Sequence, residues 1–372
     1  MKILLVSTIS NFINDFLIPH IKMLIENGYQ VDVACNLDRP IKEEVFLTGC
    51  KVHTIDFQRT PFNRRNLAAY KQLKKLIEDE SYDLVHAHTP VSSALTRVAC
   101  KRMKDVKVIY TAHGFYFYKG AGFVNWCLYY PIEKWLSKYT DALITINHED
   151  YAKAKKSLFT KKIEYTSGVG FDFMKFKNID VDKNKKLKSL SLPTDCFIIL
   201  SVGELNKNKN HEVVIRAIDK MNHSKIHYLI CGEGNLREKL HDLAVDLGLE
   251  KQVHLLGFRE DVHELCKISQ LFVFPSKREG LGLAALEAMA AGLPTITSNV
   301  HGIVDYSVNG ETGYLCSPND VDGFSDAIKK LLEDKEKREA MGVNNIERVK
   351  KFDISNVLKQ LEEIYTSILL AD

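Results

Sequence analysis

The chain has 372 residues, which is too long for one ordinary hydrophobic core and suits two domains of about 150 to 200 residues each. Its composition, 45% hydrophobic and 27% charged, is that of a folded globular protein and excludes an intrinsically disordered chain. A net charge of +3 is too small to indicate nucleic-acid binding, and no run of roughly 18 to 20 apolar residues is present to span a bilayer.

The predicted elements begin with a strand. The apolar run at the N-terminus is short and lacks a small-residue cleavage site, so we expect a buried strand and no signal peptide. Runs rich in Val, Ile and Leu then recur, each followed by a turn and a segment of helical period, which predicts βα units and parallel sheets. The predicted strands are 2–6, 29–35, 83–87, 107–111 and 142–146, then 196–202, 226–231, 252–255, 271–275 and 294–297.

A segment of linker composition separates the two halves. Residues 175–193 are rich in Lys, Asp and Asn and lack a strong apolar period. We therefore predict a first domain over 1–175 and a second over 176–355, both Rossmann-like, doubly wound α/β domains. Apolar residues at helical spacing predict a terminal helix, 356–372, which we expect to pack back on the first domain.

The first half carries basic and aromatic clusters. Six cations and no acidic residue lie between Arg59 and Lys75, and four more cations lie between Lys101 and Lys107. Residues 115–135 contain both tryptophans among many other aromatic side chains. Anionic lipid head groups attract basic patches, and amphipathic rings suit a membrane boundary or stacking on a sugar. A solvated helix face and loop is the alternative for the basic residues.

One loop of the second half has the features of a ligand site. Ligands of open α/β sheets bind beyond the carboxyl ends of the strands. There a buried strand is followed by a loop with Gly280 and Gly282 and by an Ala-rich helix from about Leu283. Glycines allow close approach, the helix N-terminus suits a diphosphate, and the flanking Glu279 and Glu287 would accept sugar hydroxyls. The pattern predicts a nucleotide sugar, with a solvated loop and an exposed helix position as the alternative.

The same region carries a family resemblance. Its motifs are Glu279-x7-Glu287, Gly292-x-Pro294 and Asn309-Gly310-x-Thr312-Gly313. They resemble the retaining glycosyltransferases of family 4, and the resemblance extends over nearly the whole chain. It implies an α/β structure of the GT-B fold, in which two Rossmann-like doubly wound domains face each other across a cleft that holds the active site.

The resemblance implies a donor site. In the family, the glutamate matching Glu279 contacts the transferred sugar, the one matching Glu287 contacts the ribose, and loop amides hold the diphosphate. The usual arginine of a second motif is replaced by Glu204, so we assign a phosphate contact there to Lys209 alone. The predicted donor-binding residues are Gly203, Glu204, Lys209, Arg259, Glu279, Gly280, Leu281, Gly282, Leu283 and Glu287, with Arg259 near the nucleobase. Those predicted to be catalytic are His113, Lys209 and Glu279.

Histidines at strand ends mark the predicted first-domain site. The resemblance assigns His113 to the sugar near the reaction centre, with a structural histidine as the alternative. His86 and His88 end another strand, and because side chains alternate across a strand, we expect only one of them to face the ligand. Their spacing, without an acidic third ligand, indicates no metal. The predicted acceptor-binding residues are Asn14, His88, Tyr116, Tyr118 and Lys119.

These features combine into one functional prediction. The aromatic stretch 115–135 resembles enzymes of bacterial capsule and exopolysaccharide assembly, whose acceptors are polyprenyl-diphosphate-linked sugars. We predict a retaining, metal-independent hexosyltransferase that uses a UDP-sugar, N-acetylated or related, and no other cofactor. Its expected partners are the nucleotide sugar, the lipid-linked saccharide and a membrane surface, but no nucleic acid. Eight scattered cysteines without zinc or redox spacing agree with a reduced, cytoplasmic protein, peripheral on the inner face of the cytoplasmic membrane.

Two other functions stay open at this point. A UDP-N-acetyl-sugar epimerase of the same fold would change its substrate without an acceptor. A non-catalytic nucleotide-sugar-binding subunit is suggested by Glu204 in place of the arginine. A dinucleotide oxidoreductase is disfavoured, because no Gly-x-Gly-x-x-Gly opens the helix after either first strand.

Overall fold

A computed structural model describes residues 1–369 of the chain. They form two compact units. The first unit comprises Met1–Gly170 and the chain from Ile354 onwards, and the second comprises Phe171–Asp353. The last residues of the predicted helix 356–372, residues 370–372, lie outside the described part.

The first unit is built on a seven-stranded parallel sheet. Its strands are β1 (Lys2–Ile9), β2 (Gln30–Asn36), β3 (Lys51–Thr54), β4 (Leu84–His88), β5 (Lys107–Ala112), β6 (Ala142–Thr145) and β7 (Lys162–Tyr165). Their order is β3-β2-β1-β4-β5-β6-β7, the doubly wound arrangement with a reversal of direction beside β1. Leu5 of β1 pairs with Val33 on one side and with His86 on the other, so the carboxyl ends of β1 and β4 lie together.

Helices cover both faces of this sheet. They are α1 (Ser10–Phe12), α2 (Ile18–Glu26), α3 (Glu43–Leu47), α4 (Arg65–Glu80), α5 (Pro90–Cys100), α6 (Phe123–Leu136) and α7 (His148–Ser157), with a π-helical segment at Ile13–Leu17. One buried cluster packs α2 against one face of the sheet, and another packs α4 and α5 against the opposite face. The central strands are buried on both faces of the sheet, which explains why their sequences are continuous apolar runs.

The second unit repeats this plan with six parallel strands. They are β8 (Phe197–Val202), β9 (Ile226–Cys231), β10 (Val253–Gly257), β11 (Leu271–Phe274), β12 (Thr295–Ser298) and β13 (Gly313–Cys316), in the order β10-β9-β8-β11-β12-β13. The helices are α8 (Phe173–Lys177), α9 (Lys183–Ser189), α10 (His211–Met221), α11 (Arg237–Asp246), α12 (Val262–Ile268), α13 (Leu283–Ala290), α14 (Val321–Glu333) and α15 (Lys335–Val349). The predicted α/β class with two Rossmann-like sheets is confirmed.

The C-terminal helix α16 (Ile354–Leu369) belongs to the first unit. Val357, Leu361 and Ile364 are buried in the cluster that also contains Ile21 and Leu24 of α2. The helix thus supplies part of the first core. None of the described helices is both long and apolar enough to cross a membrane.

Candidate active site

The glycine loop of the second unit joins β11 to the N-terminus of α13. Gly282 caps this helix with φ +92°, a conformation that L side chains rarely adopt. A Cβ at this position would also lie 2.6 Å from Cε1 of Phe274 and 3.0 Å from the hydroxyl of Tyr306. Conformation and packing therefore both require glycine, and the loop backbone of Gly280–Leu283 leads directly into the helix N-terminus.

A lysine and a carboxylate from two loops meet beside this helix. The Nζ of Lys209 lies 2.6 Å from Oε1 of Glu279, and both side chains are largely buried. The ammonium also lies 4.9 Å from the ring centroid of Phe274, so it has both a carboxylate and an aromatic face as neighbours. Gly203 leaves room for the lysine stem, since a Cβ there would lie 3.0 Å from its Cδ. The structure thus brings four sequence-predicted features together: Gly203, Lys209, Glu279 and the glycine loop.

Asparagines hold the lysine loop in place. The Asn206 side chain accepts from the backbone N–H of Asn208 and of Lys209, both at 2.9 Å. Asn208 donates to the carbonyl of Arg278 at 2.9 Å, which ties this loop to the one that carries Glu279. These positioning residues were not predicted from the sequence. The run Asn206-Lys-Asn-Lys-Asn210 contained the signal, because Asn side chains bond to backbone two residues on.

Glu287 is a partly buried carboxyl in the second turn of α13. Burial raises its pKa from 4.5 to about 7, and the charge of Lys175 offsets only part of this effect. Near neutral pH the group therefore exchanges between a hydrogen-bond donor and a pure acceptor.

Two other predicted donor residues have protein partners. Glu204 is exposed and accepts a hydrogen bond from Nδ2 of Asn206 at 2.9 Å. Arg259 forms a two-pronged contact with Asp261, at 2.7 Å from Nε and 2.5 Å from Nη2. Contact of Arg259 with a nucleobase would have to coexist with this ion pair or replace it.

In the first unit, histidines gather at the ends of β4 and β5. Nδ1 of His88 and Nε2 of His113 lie 3.2 Å apart, and the edge of the His113 ring meets Phe12 at 4.9 Å between centroids. The rings of His86 and His88 lie only 4.2 Å apart on one face of the sheet. The premise that these two side chains alternate across the strand was wrong, because residues two apart on a strand share a face.

Burial keeps these histidines neutral. It lowers the pKa of His113 to about 3 and that of His20 to about 4, and it places the pKa values of His86 and His88 well below the ordinary range. His86 is saturated by Thr111 at 2.7 Å and by the Tyr365 hydroxyl at 2.5 Å. Nε2 of His88 is buried and has no hydrogen-bond partner among residues 1–369.

The other predicted acceptor residues differ in their surroundings. The Asn14 amide donates to the carbonyl of Pro40 and accepts from the N–H of Lys42, so it positions the chain at 40–42. Tyr116 is exposed and stacks on Tyr129 at 4.8 Å between centroids. Of the remaining two, Tyr118 is partly exposed and Lys119 is exposed.

Acidic and histidine side chains form no metal cluster in the described residues, since no group of three or more could hold an ion. The sequence contains two Asp-x-Asp triplets, 180–182 and 320–322. In the structure Asp182 and Asp320 cap α9 and α14 by accepting from backbone N–H groups. The cysteines are all unpaired, and seven of the eight are buried.

Comparison with known families accounts for both units. Residues 2–147 match the family described as glycosyl transferase 4-like, and residues 182–348 match glycosyl transferases group 1. A protein of Bacillus subtilis designated as glycosyltransferase EpsD is 36% identical over 100% of this chain and 98% of its own length. An Escherichia coli UDP-Gal:α-D-GlcNAc-diphosphoundecaprenol α-1,3-galactosyltransferase is 31% identical over 73% of each chain.

Solved structures share the fold. HepE from Anabaena in complex with UDP and glucose has a TM-score of 0.82 and 20% identity, covering 99% of this chain and 100% of its own. Sucrose-phosphate synthase from Thermosynechococcus elongatus has a TM-score of 0.84 and 20% identity, with complete coverage of both chains.

Proposed function

Because this chain belongs to the glycosyltransferases, as a family 4 member, we propose that it moves a hexose from a UDP-sugar to a polyprenyl-diphosphate-linked saccharide. The observation that carries the donor half is the Lys209–Glu279 pair, at 2.6 Å, beside the N-terminus of α13. A cation, loop amides and a helix N-terminus suit a diphosphate, while the carboxylates at Glu279 and Glu287 suit hydroxyls.

The chemistry assigned to the second unit is stabilisation of the leaving group. As the glycosidic bond breaks, negative charge develops on the departing diphosphate, and Lys209 with the amides of Gly280–Leu283 would stabilise it. Glu279 holds the ammonium in position before the donor binds and would accept a hydroxyl of the transferred sugar. Glu287 is assigned to the ribose. We propose that the reaction retains the configuration of the transferred sugar and needs no metal. The ammonium of Lys209 then takes the role that a bound metal ion has in metal-dependent enzymes.

The acceptor half rests on the first unit and on the relatives. His88 and His113 are neutral, so they can form hydrogen bonds with sugar hydroxyls. The buried Nε2 of His88 has no hydrogen-bond partner among the described residues. The E. coli relative uses a lipid-linked saccharide and a UDP-sugar by its name, which supports the same substrate classes here. A capsular polysaccharide glycosyltransferase of Staphylococcus aureus, 29% identical over 82% of this chain, supports a place in cell-surface polysaccharide assembly.

We also propose that the protein works as a peripheral enzyme on the inner face of the cytoplasmic membrane. The outer side of α6 exposes Phe123, Val124 and Trp135, of which Phe123 is 81% exposed. The ammonium of Lys101 lies 5.5 Å from the ring of Trp135, so cations accompany this apolar surface. Sedimentation with anionic liposomes at low salt tests the proposal, and no binding would refute it.

The decisive experiment measures release of UDP or GDP from a panel of nucleotide sugars. Each is incubated with and without short polyprenyl-diphosphate saccharides, and every reaction is repeated with EDTA. We expect UDP release that depends on acceptor and persists in EDTA. Loss of release in EDTA would refute the metal-independent mechanism, and an isomerised donor without acceptor would indicate the epimerase instead.

A further inference from the structure

We propose that an apolar cavity in the first unit, open at its rim, holds the first isoprene unit of the acceptor's lipid, with the adjoining pocket holding its diphosphate. This inference rests on the proposed function for the identity of the acceptor. It goes further by placing the lipid between α5, α6 and the loop at 59–62, where none of the predicted site residues except Tyr116 lies.

The apolar cavity, defined by Phe62, Ala94, Leu128, Ile132 and Leu136 among others, has a volume of about 150 Å³. A cavity of about this size lined by apolar side chains takes up a six-carbon hydrocarbon such as benzene. One isoprene unit has five carbons, so the cavity suits about one such unit. Longer chains would continue past the rim, where Phe62 is 75% exposed.

The charges that line this cavity cancel. Arg97 is 1% exposed and contacts Glu133 at 2.5 and 3.1 Å, while Nη2 also donates to Ser93. The guanidinium stacks on the ring of Tyr110 at 4.3 Å. Because each charged group already has its partner, an apolar ligand can enter the cavity without stripping water from an unpaired charge. An ionic ligand would find no unpaired opposite charge there.

The outer pocket adjoins the cavity and differs from it in chemistry. It has a volume of about 590 Å³ and shares five lining residues with the cavity, including Pro90 and Tyr129. It adds Arg59, whose cation suits a diphosphate, and the polar residues Thr8 and Thr89, whose hydroxyls bond to each other at 2.7 Å. Its lining also includes Phe12, whose ring meets both His88 and His113.

The order of these environments identifies the occupant. From the histidines outward the chain offers neutral hydrogen-bonding groups, then a cation with hydroxyls, then an apolar cavity. A saccharide joined through a diphosphate to an isoprenoid has its parts in the same order. A peptide or a second protein chain would lack the anionic group in the middle, and a free fatty acid would lack the saccharide end.

Isothermal titration calorimetry on the full chain tests this, with inorganic pyrophosphate, dimethylallyl diphosphate and farnesyl diphosphate as probes. We expect affinity to rise with prenyl length, and farnesyl diphosphate to bind at least about tenfold more tightly than pyrophosphate. Ile132→Asn should reduce farnesyl diphosphate affinity about tenfold and leave pyrophosphate unchanged. Val124→Asn is the matched control, since Val124 lies on the same helix, is 69% exposed and does not line the cavity.

Two further variants complete the test. Ala94→Phe fills the cavity and should weaken farnesyl diphosphate binding alone, whereas Arg59→Ala should weaken all three probes by a similar factor. Equal affinities for pyrophosphate and farnesyl diphosphate, or equal effects of Ile132→Asn and Val124→Asn, would overturn the inference. Titration of the same samples with UDP measures the affinity of the donor site separately. Prenyl-dependent binding without transfer to any acceptor would refute the proposed function and keep the lipid site.

Discussion

The two sheets share one architecture, but their carboxyl ends carry opposite chemistry. At the end of the first sheet, His86, His88 and His113 are neutral and lie among aromatic rings. At the end of the second, Lys209 and Glu279 are paired beside a helix N-terminus. The same position in one fold thus carries neutral hydrogen-bonding groups in one unit and an ion pair in the other, which fits the proposed binding of hydroxyls and of an anion. Function follows from the side chains placed at the strand ends, while the sheet supplies only the position.

The largest expected effect tests the charged half of this contrast. Lys209→Ala removes the cation that faces the developing charge, so kcat should fall by about 100- to 1000-fold, as for loss of one preorganised donor. Lys207→Ala is the matched control in the same loop, because this lysine is exposed and lies two residues away. Steady-state kinetics with the donor that the nucleotide-sugar panel selects measures both variants. Similar kcat values for the two would show that Lys209 does not stabilise the leaving group.

Acid should destabilise both units, because each contains buried histidines with lowered pKa values, whereas a rise in pH from 4.5 to 7 should destabilise the second unit through Glu287. His20 has a pKa of about 4 in the folded first unit and 6.5 in the unfolded chain, so the unfolded chain binds more protons below pH 6.5. This group therefore lowers the free energy of unfolding of the first unit by about 3 kcal/mol as the pH falls from 6.5 towards 4. Glu287 has a folded pKa of about 7 against 4.5, so the second unit loses stability of about the same size as the pH rises from 4.5 to 7.

Urea unfolding can separate these two responses. Both tryptophans lie in the first unit, so their fluorescence reports that unit, and pulse proteolysis with mass spectrometry reports the second. His20→Gln should reduce the acid sensitivity of the first unit, to which His86, His88 and His113 also contribute, and Glu287→Gln should remove the second unit's loss of stability between pH 4.5 and 7. An unchanged pH profile of the second unit in Glu287→Gln would contradict the assignment of this buried carboxyl.

A smaller effect concerns the shape of the donor loop. Gly282→Ala forces a side chain into a positive φ and against Phe274, so it should lower the free energy of unfolding by about 2–3 kcal/mol. Gly310→Ala has a similar φ of +83° with nothing within 4 Å, and about 1 kcal/mol is expected. Denaturant titration of both variants gives the difference between their losses of unfolding free energy, and this difference measures the packing contribution alone. Equal losses would mean that the loop moves aside.

The smallest effect tests how α16 completes the first unit. Tyr365→Phe removes the hydroxyl that bonds to Nδ1 of buried His86, so about 1–2 kcal/mol of unfolding free energy should be lost. Thr366→Val alters an exposed hydroxyl on the next residue and should change stability by less than about 0.5 kcal/mol. Chemical denaturation followed by tryptophan fluorescence compares the two variants, and equal stabilities would count against the hydrogen bond.

Buried strands could be predicted from the sequence, but three of the four edge strands could not. Each predicted strand is present, with ends shifted by at most three residues. The strands that were not predicted, β3, β7 and β13, all lie at sheet edges. An edge strand such as Lys162-Ile-Glu-Tyr165 is only partly buried along its length, so it needs no continuous apolar run. Periodicity therefore detected the strands that are buried on both faces and missed three of the four partly buried strands at the edges.

The donor loop could be predicted because glycine, helix start and carboxylates are adjacent in sequence. The partnership of Lys209 with Glu279 spans 70 residues and depends on β8 and β11 being neighbours, which periodicity does not give. Likewise, nothing local to His86 indicated that Tyr365 would bind it from the C-terminal helix. Motifs identify residues that act through one loop, whereas contacts between loops require the strand order.

The position of α16 has a consequence for how the protein is made. The ribosome completes the first 170 residues long before it reaches Val357, Leu361 and Ile364, which fill the first core. About 180 residues of the second unit come between, which is on the order of 10 to 40 s of synthesis. During that interval the apolar side of α2 has no covering helix. The first unit to be synthesised therefore finishes folding last, and nascent chains of this protein present an aggregation-prone surface that chaperones would bind.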